Sequence, residues 1–533
     1  MAGNLSCGQA LTLLLEAYGV DTVFGIPGVH TLELYKGLGA ANIRHVLARH
    51  EQGAGFMADG YARVSGRPGV CYLITGPGVT NAATPIGQAY SDSIPMLVIS
   101  SINATTDLGM GRGRLHEITD QTAVTAPLTA FSKCAPSAAE VPNLIAEAFA
   151  VFRNARPRPV HISLPLDVLT APAGFAAVAR TPSPPAGPSE EVIEAAAEFV
   201  RRAKRPVIIA GGGTVACGPA LSAFAKAAGA AVILTVAAKG VMPDDHPLCL
   251  GATLERGPTQ GVVESADLII AVGTELSETD SWVDRLPING RMIRIDIESA
   301  VTMRDYPADV ALVGDSGRAL AAMTKRLSGH SPARAFAGGE IATLRAKMVA
   351  SRKPLQRKHI LILDALREAL PEDGVVCSDM TQIAYTGIHH FPCSRPRSWF
   401  HPSGYGTLGW ALPAAIGAKL AAPERAVVAL VGDAGFLFTA PEIGVAVELG
   451  LPLAVVLWNN DGLGQIRDDM IERGIPEIGV NPRNPDYIKL AEAFGAQAVR
   501  PDSLEAFKAA LGRAFAADGP TLIEMRQDAA FLD

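Results

Sequence analysis

Asp433 and Asn460 are the two residues whose type and spacing point most directly to chemistry. Each lies at the end of an apolar run, residues 426–431 for Asp433 and 451–458 for Asn460. A helical pattern at 443–449 separates the runs, so the segment predicts strand, helix and strand. In a parallel βαβ unit both strands end at the same edge of the sheet. A carboxylate and an amide oxygen at that edge, beside a helix N-terminus, suit a hard divalent cation that holds a diphosphate.

Thr439 and Glu442 stand three residues apart just before the helical pattern, a spacing that predicts a capping box. A plainer interpretation of the strand ends stays open, in which Asp433 caps a helix and Asn460 begins a turn. A short motif is only a hypothesis. The rest of the chain therefore has to decide between the two interpretations.

Composition narrows the class of protein. The chain has 533 residues, 48% of them hydrophobic and 19% charged, with 53 glycines and 38 prolines. These values predict a well-buried α/β protein of about three domains. The net charge of −7 comes without a basic block, which argues against nucleic acid as a partner. No uncharged apolar run reaches the roughly 18 residues of a membrane span, and no signal peptide is expected at the N-terminus.

The cysteines and two composition shifts add the compartment and the domain limits. Seven cysteines are scattered without a C-x-x-C pair, which favours a reducing compartment, the cytoplasm. Residues 171–190 and, more weakly, 327–339 have the composition of linkers. Apolar runs alternate with helical patterns in each remaining block. The sequence therefore predicts three doubly wound domains with mostly parallel sheets, in blocks 1–170, 190–325 and 345–533.

A second constellation lies in the first block. Glu51 opens a segment of helical period that is rich in small and apolar residues. Upstream lies 23–28, which contains Gly25-Ile-Pro27-Gly28, and downstream lies 73–81, which contains Gly76-Pro-Gly-Val-Thr-Asn81. Taken alone, Glu51 could equally be an ordinary surface glutamate near a helix start.

A third constellation occupies residues 403–417 of the last block. Here a glycine-rich loop runs into a helical pattern, and the bulky Leu408 interrupts the small residues. A lone leucine in such a place is commonly a core residue, so this segment gains its meaning from its order after the other motifs.

Together the ordered motifs closely resemble the thiamine-diphosphate-dependent enzymes of the acetolactate synthase and 2-oxo-acid decarboxylase family. The metal–diphosphate motif of that family begins Gly-Asp-Gly and ends Asn-Asn, and here Ala434 takes the place of the second glycine. The resemblance implies that Mg²⁺ is held by Asp433, Asn460 and the Gly462 carbonyl. The residues that it implies around thiamine diphosphate are Pro27, Glu51, Gly76, Asn81, Gly406, Leu408, Gly432, Asp433, Ala434, Gly435 and Asn460.

The resemblance also implies how the cofactor is activated. Glu51 would hydrogen-bond N1′ of the aminopyrimidine, and an apolar setting would raise the pKa of this carboxyl and strengthen the bond. Leu408 would lie between the cofactor's rings and enforce a bent shape, which brings the 4′-nitrogen near the thiazolium C2 proton. In this family Glu51 and the pair Asp433 and Asn460 come from different subunits. A homodimer or homotetramer is therefore expected.

Several loop residues of the first block resemble the family's substrate-side loops and could deliver a proton to the product. They are His30, Asn81, Gln88 and His116, of which His116 and Gln88 rank first. His116 takes the place of Gln in the family's Phe-Gln-Glu sequence. The first block has no adjacent pair of histidines of the kind some decarboxylases carry there. Each residue could instead be a hydrogen-bonded loop residue.

The segment after Asn460 departs from the synthases. Asp469 stands nine residues past Asn460, where those enzymes have Trp, and Asp468 and Gln465 precede it. Two carboxylates at a substrate channel suggest a 2-oxo acid with a cationic tail, ideally a guanidinium. A solvated acidic helix start is the alternative.

Two further comparisons concern the central block and the substrate. Residues 250–257 lack the Gly-Met-His-Gly of flavin-binding synthases, and 275–280 lack arginine, which argues against FAD. Segments 25–35 and 113–121 most resemble 5-guanidino-2-oxopentanoate decarboxylases of arginine catabolism. The alternatives are an acetolactate-synthase-like carboligase or other 2-oxo-acid lyase, and a non-catalytic homologue that binds the cofactor and regulates.

Overall fold

The computed structural model describes residues 5–332, 336 and 339–533. Within these residues the strands form three sheets of six strands each, and all the neighbouring strands are parallel. This confirms the predicted fold class. Residues 1–4 and part of the predicted linker 327–339 lie outside the described residues. Across the described ranges, every helix is too short or too polar to span a bilayer.

The first sheet has the strand order β2-β1-β3-β4-β6-β5. Its strands are β1 Thr22–Gly25, β2 Arg44–Leu47, β3 Gly69–Leu73, β4 Met96–Ile102, β5 Phe131–Cys134 and β6 Val160–Pro165. The helices of this block are α1 Cys7–Ala17, α2 Leu32–Leu38, α3 Glu51–Ser65, α4 Pro77–Asn81, α5 Ala83–Ser91, α6 Gln121–Thr125, α7 Val141–Asn154 and α8 Leu166–Thr170. The fully described stretch between Thr170 and Glu190 contains neither helix nor strand, as its composition predicts.

The central sheet has a different order, β12-β11-β10-β7-β8-β9. Its strands are β7 Pro206–Ala210, β8 Ala231–Leu234, β9 Cys249–Gly251, β10 Leu268–Val272, β11 Arg291–Asp296 and β12 Val310–Val313. The helices around it are α9 Glu190–Arg202, α10 Gly218–Ala228, α11 Gly257–Glu264, α12 Glu278–Ser281 and α13 Ser316–Arg326.

The third sheet has the order β14-β13-β15-β16-β18-β17. Its strands are β13 Val375–Ser378, β14 Trp399–Phe400, β15 Val427–Gly432, β16 Leu453–Asn459, β17 Gln497–Val499 and β18 Thr521–Arg526. Helix α14 Glu340–Ala350 packs against α11 and β9 of the central domain. The helices of the third domain are α15 Pro354–Ala369, α16 Gln382–His390, α17 Ala411–Ala421, α18 Asp433–Leu437, α19 Ile443–Glu448, α20 Gly464–Glu472, α21 Tyr487–Ala493 and α22 Leu504–Phe515.

The central strands of the third sheet explain why apolar runs predicted them. Every residue of β15 and β16 is buried. Helices cover both faces of such a sheet, so its inner strands are apolar throughout instead of alternating with polar residues.

Helices α3 and α17 join the first and third domains into one core. Two glycines let these helices approach closely, because a Cβ on Gly417 would lie 1.9 Å from the Met57 carbonyl oxygen and one on Gly60 would lie 2.0 Å from that of Ala414. Glu51 begins α3, and Leu408 lies just before α17. This packing therefore fixes two predicted site residues relative to one another.

Candidate active site at two sheet edges

The paired strands β15 and β16 bring Asp433 and Asn460 together at the carboxyl edge of the third sheet. The side-chain oxygen of Asn460 lies 3.1 Å from Asp433 Oδ1 and 2.9 Å from the Gly462 carbonyl oxygen. The Asn460 nitrogen points away and donates to Gln382 Oε1 at 3.1 Å. With the Asn460 amide oxygen turned inward, three oxygens converge as the ligands of a hard cation do.

The site has the donor set expected for Mg²⁺ and differs from a site built of several acidic or imidazole ligands. Among the described residues no cluster of three or more His, Cys, Asp or Glu side chains could hold a metal. The candidate site offers one carboxylate, one amide oxygen and one backbone carbonyl. Mg²⁺ commonly takes one or two carboxylates and completes its shell with water and phosphate oxygens.

Asp433 is held by groups that leave its Oδ1 directed at the other two oxygens. Its Oδ2 accepts from the Gly462 amide at 2.8 Å and from Asn484 Nδ2 at 2.7 Å, and Tyr487 donates to its backbone carbonyl at 3.0 Å. Burial raises the pKa of Asp433, although the Asn484 bond and backbone amides lower it in part. A buried carboxylate whose negative charge is disfavoured gains most from a bound cation.

Asn484 and Tyr487 were not singled out in the sequence. Asn484 precedes a proline and the start of α21, a local cue for a turn and not for a metal site. Its Oδ1 is buried and has no hydrogen-bond partner among the described residues. Among the described residues, the hydrogen bond from the Asn484 amide nitrogen to Asp433 is thus what this side chain contributes.

The predicted capping box at Thr439 and Glu442 is wrong. The Thr439 hydroxyl donates to the Gly409 carbonyl at 2.7 Å, and the Glu442 carboxylate accepts from the amides of Arg49 and His50 at 3.1 and 3.0 Å. Both side chains find tertiary partners, and these replace the local pairing that the spacing suggested. Glu442 instead caps the start of α3 from another domain, and burial raises its pKa to about 7.

At the edge of the first sheet, Glu51 and Asn81 are in contact. Glu51 is the first residue of α3, and Asn81, the last residue of α4, donates from Nδ2 to Glu51 Oε2 at 3.0 Å. Glu51 is partly exposed in the single chain. The structure thus brings together two residues that the family resemblance placed near the cofactor, and the apolar setting expected for Glu51 would need a further surface to cover it.

His30 and His116 form a pair that the sequence does not show. Their ring centroids are 5.3 Å apart with the planes at 90°, and His30 Nδ1 lies 2.9 Å from the Thr75 hydroxyl. Burial lowers the pKa of His30, and the nearby His116 ring adds to this. His116 has a φ of +60° and its carbonyl packs against Gly76. Two separate loops therefore build an imidazole pair although no adjacent histidines occur in the first block.

Gln88 has no free end to offer a substrate. It is fully buried. Its Oε1 accepts from the Thr407 hydroxyl at 2.7 Å, and its Nε2 donates to Asp92 at 2.7 Å. This environment argues against the proton-donor role that the sequence suggested.

The remaining cofactor candidates lie on loops at the same two edges. Leu408 is half-buried, and a Cβ on Gly435 would lie 3.7 Å from Leu408 Cδ2, so the loop and the α18 start are neighbours. Gly406 has a φ of +66°, which L side chains rarely adopt. Gly432 is buried, Ala434 is half-buried and Pro27 is exposed after β1.

Helix α20 carries the predicted substrate residues. Asp468 is exposed and its Oδ2 accepts from Gln382 Nε2 at 2.7 Å. Gln465 donates to Asp469 Oδ1 at 3.0 Å. Gln382, which the sequence did not single out, thus joins an acidic residue of α20 to the metal-site candidate Asn460.

Comparison with known families accounts for this arrangement. Residues 5–124 match the N-terminal TPP binding domain of thiamine pyrophosphate enzymes, 193–323 the central domain and 379–525 the C-terminal TPP binding domain. The chain belongs to the thiamine pyrophosphate enzyme family, whose cofactor is also called thiamine diphosphate.

Individual relatives narrow the class further. The chain is 55% identical to the "Probable 2-ketoarginine decarboxylase AruI" of Pseudomonas aeruginosa, over 98% of this chain and 94% of the relative. It is 33% identical to an acetolactate synthase of Mycobacterium bovis over 93% of this chain and 84% of the relative. It is 32% identical to the acetolactate synthase isozyme 1 large subunit of Escherichia coli over 97% and 92%. The chain is a thiamine-diphosphate-dependent enzyme.

Proposed function

We propose that this enzyme decarboxylates 5-guanidino-2-oxopentanoate to 4-guanidinobutanal and CO₂, with thiamine diphosphate and Mg²⁺. The observation that carries the proposal is the acidic pair Asp468 and Asp469, of which Asp468 is joined through Gln382 to Asn460. Its 55% identical relative is named for 2-ketoarginine, which is the same oxo acid. This substrate would arise from arginine by transamination.

A guanidinium suits the acidic pair better than an ammonium does. The planar fork of a guanidinium donates two parallel hydrogen bonds to a carboxylate. Asp468 uses Oδ2 toward Gln382, and Asp469 uses Oδ1 toward Gln465, so each carboxylate retains an oxygen for such a tail. Asp469 is partly buried, where a charge pair is screened less by water than at an open surface.

The two sheet edges would bind different parts of the cofactor, the third sheet its diphosphate and the first sheet its aminopyrimidine. Asp433, Asn460 and the Gly462 carbonyl would hold Mg²⁺ and, through it, the diphosphate. Glu51, kept in place by Asn81, would hold a proton at N1′ of the aminopyrimidine. When bound, thiamine diphosphate supplies the carbon nucleophile that attacks the 2-oxo acid and accepts the electrons released with CO₂.

The imidazole pair is our candidate for delivering a proton to the product. His30 Nδ1 is engaged with Thr75, and its lowered pKa favours a neutral ring near pH 7. His116 packs edge-on against it. A neutral imidazole beside a second one can pass a proton without building up two adjacent charges.

The active unit proposed here is a homodimer or homotetramer. Glu51 is partly exposed in the single chain, and a second subunit would bury it against the other sheet edge. Exposed apolar side chains near the third edge, among them Phe438 and Ile466, would be covered in the same way. Seven free cysteines fit a reducing compartment, and we propose the cytoplasm.

Acetolactate synthases among the relatives support carboligation of two oxo acids as the second candidate. A third candidate is a non-catalytic, regulatory homologue. The presence of Glu51, Asp433 and Asn460 argues against it, because a protein without catalysis would not need all three.

Turnover of a panel of 2-oxo acids tests the proposal. We expect CO₂ and aldehyde in equal amounts, fastest from the guanidino acid and slower from 2-oxopentanoate, which lacks the cationic tail. Asp469→Asn should raise KM for the guanidino acid roughly tenfold, at about 1.4 kcal/mol per decade, and leave KM for 2-oxopentanoate unchanged. Glu472→Gln, on the same helix, is the matched control. Faster turnover of pyruvate with carboligated product would overturn the substrate assignment.

A further inference from the structure

The loop that carries Leu408 is held on its downstream side by two side chains of the third domain. The Gly409 amide donates to Asp379 Oδ1 at 3.1 Å, and the Gly409 carbonyl accepts from the Thr439 hydroxyl at 2.7 Å. The Ala411 amide donates to Asp379 Oδ2 at 3.2 Å. Both oxygens of Asp379 are therefore spent on the backbone just after Leu408.

The upstream side of the same loop is held by the first domain. The Thr407 amide and hydroxyl both donate to Gln88 Oε1, at 3.3 and 2.7 Å. Gln88 Nε2 donates to Asp92 Oδ2, and Asp92 Oδ1 accepts from the Gly404 amide at 2.8 Å. Leu408 thus lies between two fixed peptide groups that are anchored in different domains.

A buried ion network stiffens the first-domain anchor. Arg63 pairs with Asp92 at 2.6 Å and with Asp59 at 2.5 Å, and Asp59 also accepts from the Trp410 indole at 3.1 Å. Arg63 is 7% exposed and Asp59 is fully buried. Because charges in such a setting are costly unless they are paired, breaking one of these contacts would leave a buried charge uncompensated.

Asp379 lies behind Leu408, next to the start of α18. It is fully buried and directly follows β13. A Cβ on Gly435 would lie 3.5 Å from Asp379 Oδ1 and 3.7 Å from Leu408 Cδ2, so the three residues converge. Burial raises the pKa of Asp379 to about 6, and hydrogen bonds from backbone amides offset part of that cost.

We propose that Asp379 is a positioning residue that, with Thr439 and Gln88, fixes the backbone on both sides of Leu408 and so sets the side chain that shapes the bound cofactor. The inference rests on the proposed function, since Leu408 takes the place that the family resemblance implies only when thiamine diphosphate is bound. It also replaces the proton-donor role of Gln88 by a structural one. Leu408 itself would contact the bound cofactor, and Asp379 would act only through Leu408.

Two measurements on Asp379→Asn test the proposal. In the protein without cofactor, amide hydrogen exchange of segment 404–411 should accelerate at least roughly tenfold, because the anchor is weakened. With thiamine diphosphate and Mg²⁺ bound, exchange of the C2 proton for deuterium should slow by roughly 10–100-fold, since small misplacement is costly. The dissociation constant of the cofactor and KM for the oxo acid should stay within about threefold of wild type, because no contact to either is removed.

Asp296→Asn is the matched control. Asp296 likewise lies at the carboxyl end of a buried parallel strand and accepts a backbone amide, that of Glu298 at 2.9 Å, but it belongs to the central domain. Thr439→Val is a milder variant that removes only one hydroxyl from the same anchor, and it should slow C2 exchange less. The proposal is overturned if Asp379→Asn exchanges the C2 proton as fast as wild type. It is also overturned if Asp296→Asn slows this exchange as much as Asp379→Asn does. Failure of the wild type to bind thiamine diphosphate would instead overturn the proposed function.

Discussion

The first and third sheets share one strand order but carry different chemistry. In both, the strands run second, first, third, fourth, sixth and fifth along the sheet. In both, a buried glycine comes just before a short helix that follows the third strand. Gly76 lies in the loop between β3 and α4, and Gly432 is the last residue of β15 before α18. Pro77 opens the first of these helices and Asp433 opens the second. Topology therefore decides where groups meet, and residue type at one position decides what they bind.

The two edges also differ in how complete they are within one chain. The third edge already brings the Asn460 side-chain oxygen to 3.1 Å from Oδ1 of the buried Asp433 and to 2.9 Å from the Gly462 carbonyl oxygen. The first edge presents a partly exposed Glu51 with one amide partner and a separate imidazole pair. We infer that the third edge can bind its metal with few additions, whereas the first edge depends on a partner surface.

Asp433→Ala should have the largest effect, because it removes the sole carboxylate of the candidate metal site. We expect activity to fall roughly 10⁴-fold or to background, since a bound metal contributes several kcal/mol. Calorimetric titration with Mg²⁺ and thiamine diphosphate should show no binding at concentrations that saturate the wild type. Asp461→Ala, one residue past Asn460 and paired outward with Arg526, is the control. Retained metal-dependent binding would show that the third edge is not the metal site.

Glu51→Gln tests the first edge and should separate binding from activation. Gln keeps a hydrogen-bonding group but loses the carboxyl proton, so the cofactor should stay bound while C2 proton exchange and kcat fall by roughly 10²–10⁴-fold. Glu33→Gln, on α2 in the same domain, should behave as wild type. Suppose instead that Glu51→Gln weakened cofactor binding but left the rate of C2 proton exchange unchanged. The assignment of binding to the third sheet edge and of activation to the first would then be wrong.

The sequence predicted the edges well because their signal is local. The runs at 427–431 and 453–457 are buried on both faces, and the polar residues that end them sit where a parallel sheet must place them. Asp433, Asn460 and Gly462 therefore converge as expected.

Supporting residues could not be predicted because their partners are distant in the chain. Glu442 accepts from amides 393 and 392 residues away, and its spacing to Thr439 suggested a local cap instead. Asn484 lies 51 residues from the carboxylate it orients. Only packing of α3 against α17, and of α21 against the third sheet, brings such pairs together.

Asn484→Ala should sharpen the description of the third edge. It removes the amide that orients Asp433 but no metal ligand, so the affinity for Mg²⁺ should fall by roughly 10–100-fold, well short of the Asp433→Ala effect. Asn481→Ala, three residues upstream in the same segment and bonded to Glu477, should leave it unchanged. An effect as large as that of Asp433→Ala would mean that Asn484 is itself a ligand.

Glu442→Gln should have the smallest effect and concerns the contact between the two domains. The folded-state pKa of Glu442, about 7, lies above the usual 4.5, so between these values the folded protein holds a proton that the unfolded chain has released. The contribution of this carboxyl to stability therefore falls as pH rises from about 4.5 to about 7, by about 3 kcal/mol at 1.4 kcal/mol per unit. Burial is the main cause of the raised pKa; the backbone amides and the charge of Arg49 oppose it, and the charge of Glu51 adds to it.

Because the introduced amide cannot ionise, the melting temperature of Glu442→Gln should gain a few degrees on that of wild type between pH 5.5 and pH 8. Glu448→Gln, an exposed position at the end of α19 that pairs with Arg49, should show no such pH-dependent difference. Equal pH profiles for wild type and Glu442→Gln would mean that Glu442 is ionised at little cost. The link from the third domain to the start of α3 would then be an ordinary charged cap, able to hold Glu51 in place at any pH.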